Sequence, residues 1–200
     1  MNMKRIFTII SALAVCLTLA SSCCDGGKSE SSAERSAIDV IMSRKSVRSY
    51  TDEPITKEQM TTMLKAAAAA PSASNKQPWR FVVLQDKSKY ETTFEGNFNL
   101  RIFNQAAAVV VMCADTSVSS LWRDDLGAVT ENFLLAAEAL GLGTVWTACY
   151  PYDERMDPVK EALGLPENIV PYCCVAVGHP AGEDQPKDKW VEDRVHYEQW

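Results

Sequence analysis

Several motifs that would settle a function are missing from this 200-residue chain. There is no CxxC pair and no Cys/His spacing of metal-site type, so a structural or catalytic metal has no ligand set to build on. No GxxxxGK[ST], GxSxG or HExxH sequence occurs. The only two histidines, His179 and His196, lie apart on either side of the last strand signal and give no support to a histidine-based triad. Glycine is sparse too. Within residues 36–200 the one close pair, Gly141 and Gly143, follows a helix and precedes a strand, the reverse of the dinucleotide fingerprint, and Trp146 stands where that fingerprint needs its third glycine. Basic residues are outnumbered, 20 against 26 acidic, which removes a nucleic-acid surface and makes any anion site a local one. The longest apolar run, residues 6–19, is about fourteen residues, short of the ~20 that a membrane-spanning helix needs.

What is present fits one globular domain with a substantial core: 46% apolar and 23% charged residues. Lys4 and Arg5 ahead of the apolar run make a secretory leader over residues 1–22. Ala20-Ser21-Ser22-Cys23 resembles a bacterial lipoprotein processing site, which makes Cys23 the expected lipid anchor of an exported chain held to a membrane. Residues 23–35 read as a flexible tether and residues 36–200 as the folded domain. Without Lys4 and Arg5, 18 basic residues face 26 acidic ones, a net charge of −8. Of seven cysteines, Cys16 leaves with the leader. Cys113, Cys173 and Cys174 lie in apolar runs and read as small buried hydrophobes.

The domain alternates helix and strand signals. Ser36-x-x-Asp39 and Thr56-x-x-Gln59 are capping boxes. The first opens a helix carrying Ile38, Ile41 and Met42; the second opens an alanine-rich helix that Pro71 stops. Leu126, Val129, Phe133, Ala137 and Leu140 recur at helical spacing behind Asp124 and Asp125, and Gly141 closes that helix. A further helix is expected to start at Asp157-Pro158 and to stop at Gly164. Strands are predicted at residues 80–85, 107–113, 144–150 and 172–178. The expected fold is α+β: a mixed sheet of four or five strands flanked by helices, without repeats.

Two polar stretches stand out. "SRKSVRSY" (43–50) places Arg44, Lys45, Ser46 and Arg48 together in an acidic protein. Guanidinium forks and a hydroxyl suit a phosphate, although the same cations could simply complement a helix C-terminus. "APSASNKQPW" (70–79) crowds serines, an asparagine and a glutamine into one turn. With "ALGLGTVW", "GHP" and "KDKWVEDRVHYEQW" in the same order, the domain resembles the nitroreductase family of FMN-dependent homodimers over residues 36–200.

The resemblance implies a nitroreductase-like fold and an FMN site shared between two copies of the chain. Arg44, Lys45, Ser46 and Arg48 would hold the FMN phosphate and part of the ring edge, joined by Lys187 and Lys189. Pro71, Ser72, Ala73, Asn75 and Gln77 would wrap the flavin from the partner subunit, while Trp79 and Phe81 pack into the core. Backbone N–H groups around Trp146, Thr147, Ala148 and Cys149 would approach the reactive edge of the ring; no side chain is implied as acid or base. NADH or NADPH would reduce the flavin, and an electron-poor small molecule such as a nitroaromatic or quinone would reoxidise it, in ping-pong order. An exported FMN carrier or sensor without turnover, and a reductive dehalogenase of the same fold, are the alternatives.

Overall fold

A computed structural model of the chain describes residues 35–94 and 100–200. The leader and Cys23 lie outside the described residues. Helices α1 (Ala37–Ser43) and α2 (Lys57–Ala68) begin at the capping boxes the sequence announces. Ser36 Oγ accepts from the Asp39 N–H at 3.1 Å and Thr56 Oγ1 from the Gln59 N–H at 3.1 Å, satisfying donors that a helix start otherwise leaves open.

Strands β1 (Trp79–Leu84), β2 (Ala108–Asp115), β3 (Gly143–Ala148) and β4 (Ile169–Gly178) form a sheet in the order β1-β2-β4-β3. Every pairing among these four strands is antiparallel. Among the described residues the parallel component expected of a mixed sheet is confined to one isolated bridge, Ser46 to Thr144. Alternation of helix and strand does not fix strand direction: a connection that ends at the far end of the sheet returns the chain antiparallel.

The central strand β2 is buried on both faces, and its period of two divides the core. Ala108, Val110, Met112 and Ala114 face one cluster with Met60, Met63 and Ala67 of α2 and Leu126, Val129 and Phe133 of α5 (Trp122–Ala139). Val109, Val111 and Cys113 face another with Tyr90 of α3 (Tyr90–Thr93), Phe103 of α4 (Leu100–Gln105) and Val159 of α6 (Asp153–Leu163). The result is helices, sheet, helices. Trp79 is buried and Phe81 packs against the same cluster, as expected.

Gly141 (φ 74°) and Gly164 (φ 59°) end their helices in the left-handed region, as their positions announce. Helix α6, however, starts at Asp153, a full turn before Asp157-Pro158. Its first turn closes on the Tyr152 carbonyl, which accepts from the Met156 N–H at 2.9 Å, and Asp153 and Glu154 suit the dipole there. Pro158 lies in the second turn, where it forfeits the bond to the Glu154 carbonyl and its ring crowds that carbonyl, a cost the rest of the helix absorbs. Among the described residues no helix is long and apolar enough to cross a membrane.

Candidate functional site

Past α1 the chain runs along the outer edge of β3. The Val47 N–H donates to the Thr144 carbonyl at 2.8 Å, and the Tyr50 hydroxyl donates back to the Val47 carbonyl at 2.7 Å. Burial pushes the Tyr50 phenol far above its ordinary value, with Arg48 opposing, so it remains a neutral donor. Val47 seats so closely on β3 that a Cβ at Gly143 would lie 2.7 Å from its Cβ; only glycine fits there. With Val47 buried, the polar residues on either side of it are turned outward.

Arg44, Lys45, Ser46 and Arg48 line a cavity of about 280 Å³ together with Asp184, Gln185, Lys187 and Lys189. The C-terminal segment reaches it because its start is tied to the same stretch. The Thr51 N–H donates to the His179 carbonyl at 2.9 Å and the Ala181 N–H to the Ser49 carbonyl at 3.0 Å. All six expected phosphate residues thus line one cavity. Asp184 and Gln185 join them without any warning in the sequence beyond their nearness to Lys187.

The charges are partly matched from α5. Arg44 Nε lies 3.3 Å from Glu131 Oε1, and Lys45 Nζ 3.7 Å from Glu138 Oε1, which also accepts from Ser43 Oγ at 2.9 Å. Glu131 is half-exposed and its pair with Arg44 is weak, whereas Glu138 is largely buried and also pairs with Arg35 at 3.2 Å, so two acids orient three cations without neutralising them one for one. Arg48 Nη1 donates to the Ser46 carbonyl at 3.3 Å.

Pro71, Ser72, Ala73, Asn75 and Gln77 do not line this cavity. Their turn sits beside the first turn of α5, where Asp125 Oδ1 accepts from the Ala73 N–H at 2.8 Å. The Asp125 carboxylate is buried and also accepts from Ser119 Oγ at 3.2 Å. Ser74, Asn75 and Gln77 adopt φ of 51°, 55° and 51°, a conformation that side chains other than glycine's disfavour. Ser72 Oγ takes the Gln77 N–H at 3.0 Å, and Asn75 Oδ1 takes Gln77 Nε2 at 3.0 Å. The crowded polar side chains therefore hold a strained backbone in shape. The clamp by Asp125 escaped sequence reading, which took this residue only as a helix-starting acid.

Beyond Thr144 the outer edge of β3 has no neighbouring strand among the described residues. Backbone groups alternate along a strand, and the Thr144 carbonyl faces outward to Val47, so the groups of Trp146 and Ala148 face outward too. Thr147 faces β4. The Cys149 N–H donates to the Tyr172 carbonyl at 3.1 Å. Of the four amides expected as donors, those of Thr147 and Cys149 are thus turned into the sheet, a consequence of strand alternation that the sequence reading passed over. The outward Ala148 carbonyl accepts from Arg155 Nη1 at 2.9 Å.

The described cysteines, Cys113, Cys149, Cys173 and Cys174, are all buried and free. Burial pushes the Cys113 thiol up to about 12, and Cys173 and Cys174 well above the usual thiol range. Such thiols are inert, in keeping with a packing role. His179 Nε2 lies 3.5 Å from Glu53 Oε1, and His196 stacks on Trp200 with ring centroids 4.3 Å apart.

The chain is thus a layered α+β domain with a basic cavity beside a sheet edge and a constrained polar turn. Residues 41–123 and 88–179 match the Nitroreductase family, and the chain belongs to it. A candidate NADH dehydrogenase/NAD(P)H nitroreductase of Archaeoglobus fulgidus is 41% identical over 168 residues, 80% of this chain and 97% of that protein. The crystal structure of a candidate NADH dehydrogenase/NAD(P)H nitroreductase from Bacteroides thetaiotaomicron is 42% identical, with a TM-score of 0.80 over 83% of this chain and 99% of that one. An NADPH:FMN oxidoreductase from Vibrio harveyi, solved with NAD+, is 30% identical with a TM-score of 0.74 over 82% and 77% of the two chains.

Proposed function

We propose that this chain is an FMN-dependent NAD(P)H oxidoreductase that passes electrons to an electron-poor small molecule, a nitroaromatic or quinone, in ping-pong order. The observation that carries the reading is the cavity where Arg44, Lys45, Ser46, Arg48, Lys187 and Lys189 converge in an otherwise acidic protein. Five cations and a hydroxyl in about 280 Å³ fit a phosphate dianion, which accepts several charge-assisted hydrogen bonds at once.

FMN, when bound, supplies the two-electron chemistry. The protein's part is positioning. Arg44 and Arg48 grip the phosphate from the loop and Lys187 and Lys189 from the tail, while Ser46 donates between them. The outward amides of Trp146 and Ala148 present fixed donors to the ring edge, where negative charge gathers on reduction. No buried acid or base is required.

A homodimer completes the reading. Ile38, Ile41 and Met42 of α1 are exposed at 67%, 50% and 71%, and Trp190, Tyr197 and Trp200 of the tail are largely exposed as well. So much apolar surface on one helix and one arm suits a partner of the same kind. The turn at residues 71–77 does not line its own chain's basic cavity, which supports its serving the cavity of a second copy. For the leader and Cys23 the reading is export and lipid anchorage on the periplasmic or cell-surface side; Cys23→Ala should release the protein from the membrane fraction.

The deciding experiment is anaerobic titration of residues 25–200, loaded with FMN, by NADH and then NADPH. Flavin absorbance that bleaches, and returns on adding a nitroaromatic or quinone, supports the oxidoreductase. Bound flavin that stays oxidised with both donors overturns turnover by NAD(P)H and leaves a carrier or sensor.

A further inference from the structure

The geometry points to Arg155 as the residue that positions the open edge of β3 and favours the reduced state of the cofactor; this rests on the reading that FMN lies against that edge. Arg155 belongs to the first turn of α6, outside every motif that carries the family resemblance. Its Nη1 donates to the Ala148 carbonyl at 2.9 Å, and its guanidinium lies over the Tyr152 ring at 5.0 Å.

The edge needs such a tie. Among the described residues β3 pairs with a strand on one side only, and on the other the Val47 N–H holds the Thr144 carbonyl. Four residues on, the Arg155 guanidinium holds the Ala148 carbonyl. Between these two ties lie the outward amides of Trp146 and Ala148, so the strand is fixed at both ends of the stretch that would face the flavin. A donor set held in place costs no reorganisation when charge develops. The tie is also a charge: the guanidinium is a cation and is here half-buried, where water screens it less than at the surface. A fixed cation beside the edge stabilises an anionic, reduced ring more than a neutral, oxidised one. It acts through the peptide and the local field, which makes it a positioning residue.

The test compares wild type, Arg155→Gln and Arg155→Lys, each loaded with FMN. Affinity for oxidised FMN is read by fluorescence quenching, and the reduction potential of the bound flavin by equilibration with a reference dye; together they give the ratio of affinities for reduced and oxidised cofactor. Arg155→Gln keeps a donor for the Ala148 carbonyl and removes the charge, so the ratio should fall about tenfold with little change in oxidised-state affinity. Arg155→Lys should recover most of it. An unchanged ratio, or equal weakening of both states, assigns Arg155 a structural role and overturns the inference while the FMN reading stands. Wild-type protein that takes up no FMN overturns both.

Discussion

Loop 44–48 and turn 71–77 both present polar groups at the surface, yet the loop takes its shape from the sheet beneath it and the turn from its own side chains. In the loop, Val47 is buried against Gly143 and bonded to Thr144, so the backbone is set by packing and the cations only point. In the turn, three residues hold left-handed backbone, and Ser72, Asn75 and Asp125 supply the bonds that keep them there. The loop can supply charge because its shape costs its side chains nothing. The turn carries no such surplus: its side chains are spent on conformation, and what it offers a ligand is a close-fitting backbone.

The largest effect should come from breaking the loop's foundation. Gly143→Val places methyl groups where Val47 already sits, so loop and strand must part. We expect a loss of about 3 kcal/mol in denaturant unfolding and no FMN uptake, since overpacked sites with no room to relax are costly. Retained uptake would show that the basic loop does not depend on β3.

Arg44→Ala separates gripping from folding. Its pair with the half-exposed Glu131 contributes less than about 1 kcal/mol, so the melting temperature should barely move. FMN affinity should fall about 30-fold, near 2 kcal/mol, as expected for one charge-assisted bond to phosphate. The turn answers differently. Asp125→Ala removes the acceptor that clamps the Ala73 N–H, with an expected cost of about 1–2 kcal/mol in stability and a smaller fall in FMN affinity. Asp125→Asn retains an oxygen for that N–H and should recover most of both losses. Equal behaviour of the two variants would remove the clamp from the account.

The capping residues, the alanine-rich helix and the buried strands were legible in the sequence because each depends on neighbours a few positions away. The antiparallel course of the sheet was not, since strand direction depends on where a helix ends in space. The start of α6 was hidden behind Pro158, a strong local signal that the rest of the first turn outweighs. At the site, every residue expected at the phosphate lines one cavity, because the motifs carry those side chains by type and order. Asp125, Asp184 and Arg155 went unseen. Asp125 acts through a contact 52 residues away, Asp184 through a shared cavity wall and Arg155 through a backbone carbonyl seven residues back, and neither charge pattern nor spacing records such things. The alternation that turns Thr147 and Cys149 into the sheet could have been read from Val47 and Thr144 only once their pairing was known.

The smallest expected effect concerns the thiols, which lie in neither the loop nor the turn but bound the core on which both rest. At pH 8, iodoacetamide should label Cys113, Cys149, Cys173 and Cys174 of the native chain at least about a hundredfold more slowly than in denaturant, since reaction needs an exposed thiolate. The pH dependence follows from the direction of the shift. Cys113 titrates near 9.0 in the unfolded chain and about 12 when folded, so folding favours its neutral form. The stabilisation is complete below pH 9 and is lost as the pH rises from 9 towards 12. Raising the pH from 8 to 10 should lower unfolding free energy by about 1–2 kcal/mol for this thiol. Labelling should then accelerate more than thiolate chemistry in the unfolded chain alone requires, because the open state itself becomes more populated. A labelling rate that rises only in proportion to free thiolate would mean that the core opens without regard to these groups, and that their burial contributes nothing to the platform under the site.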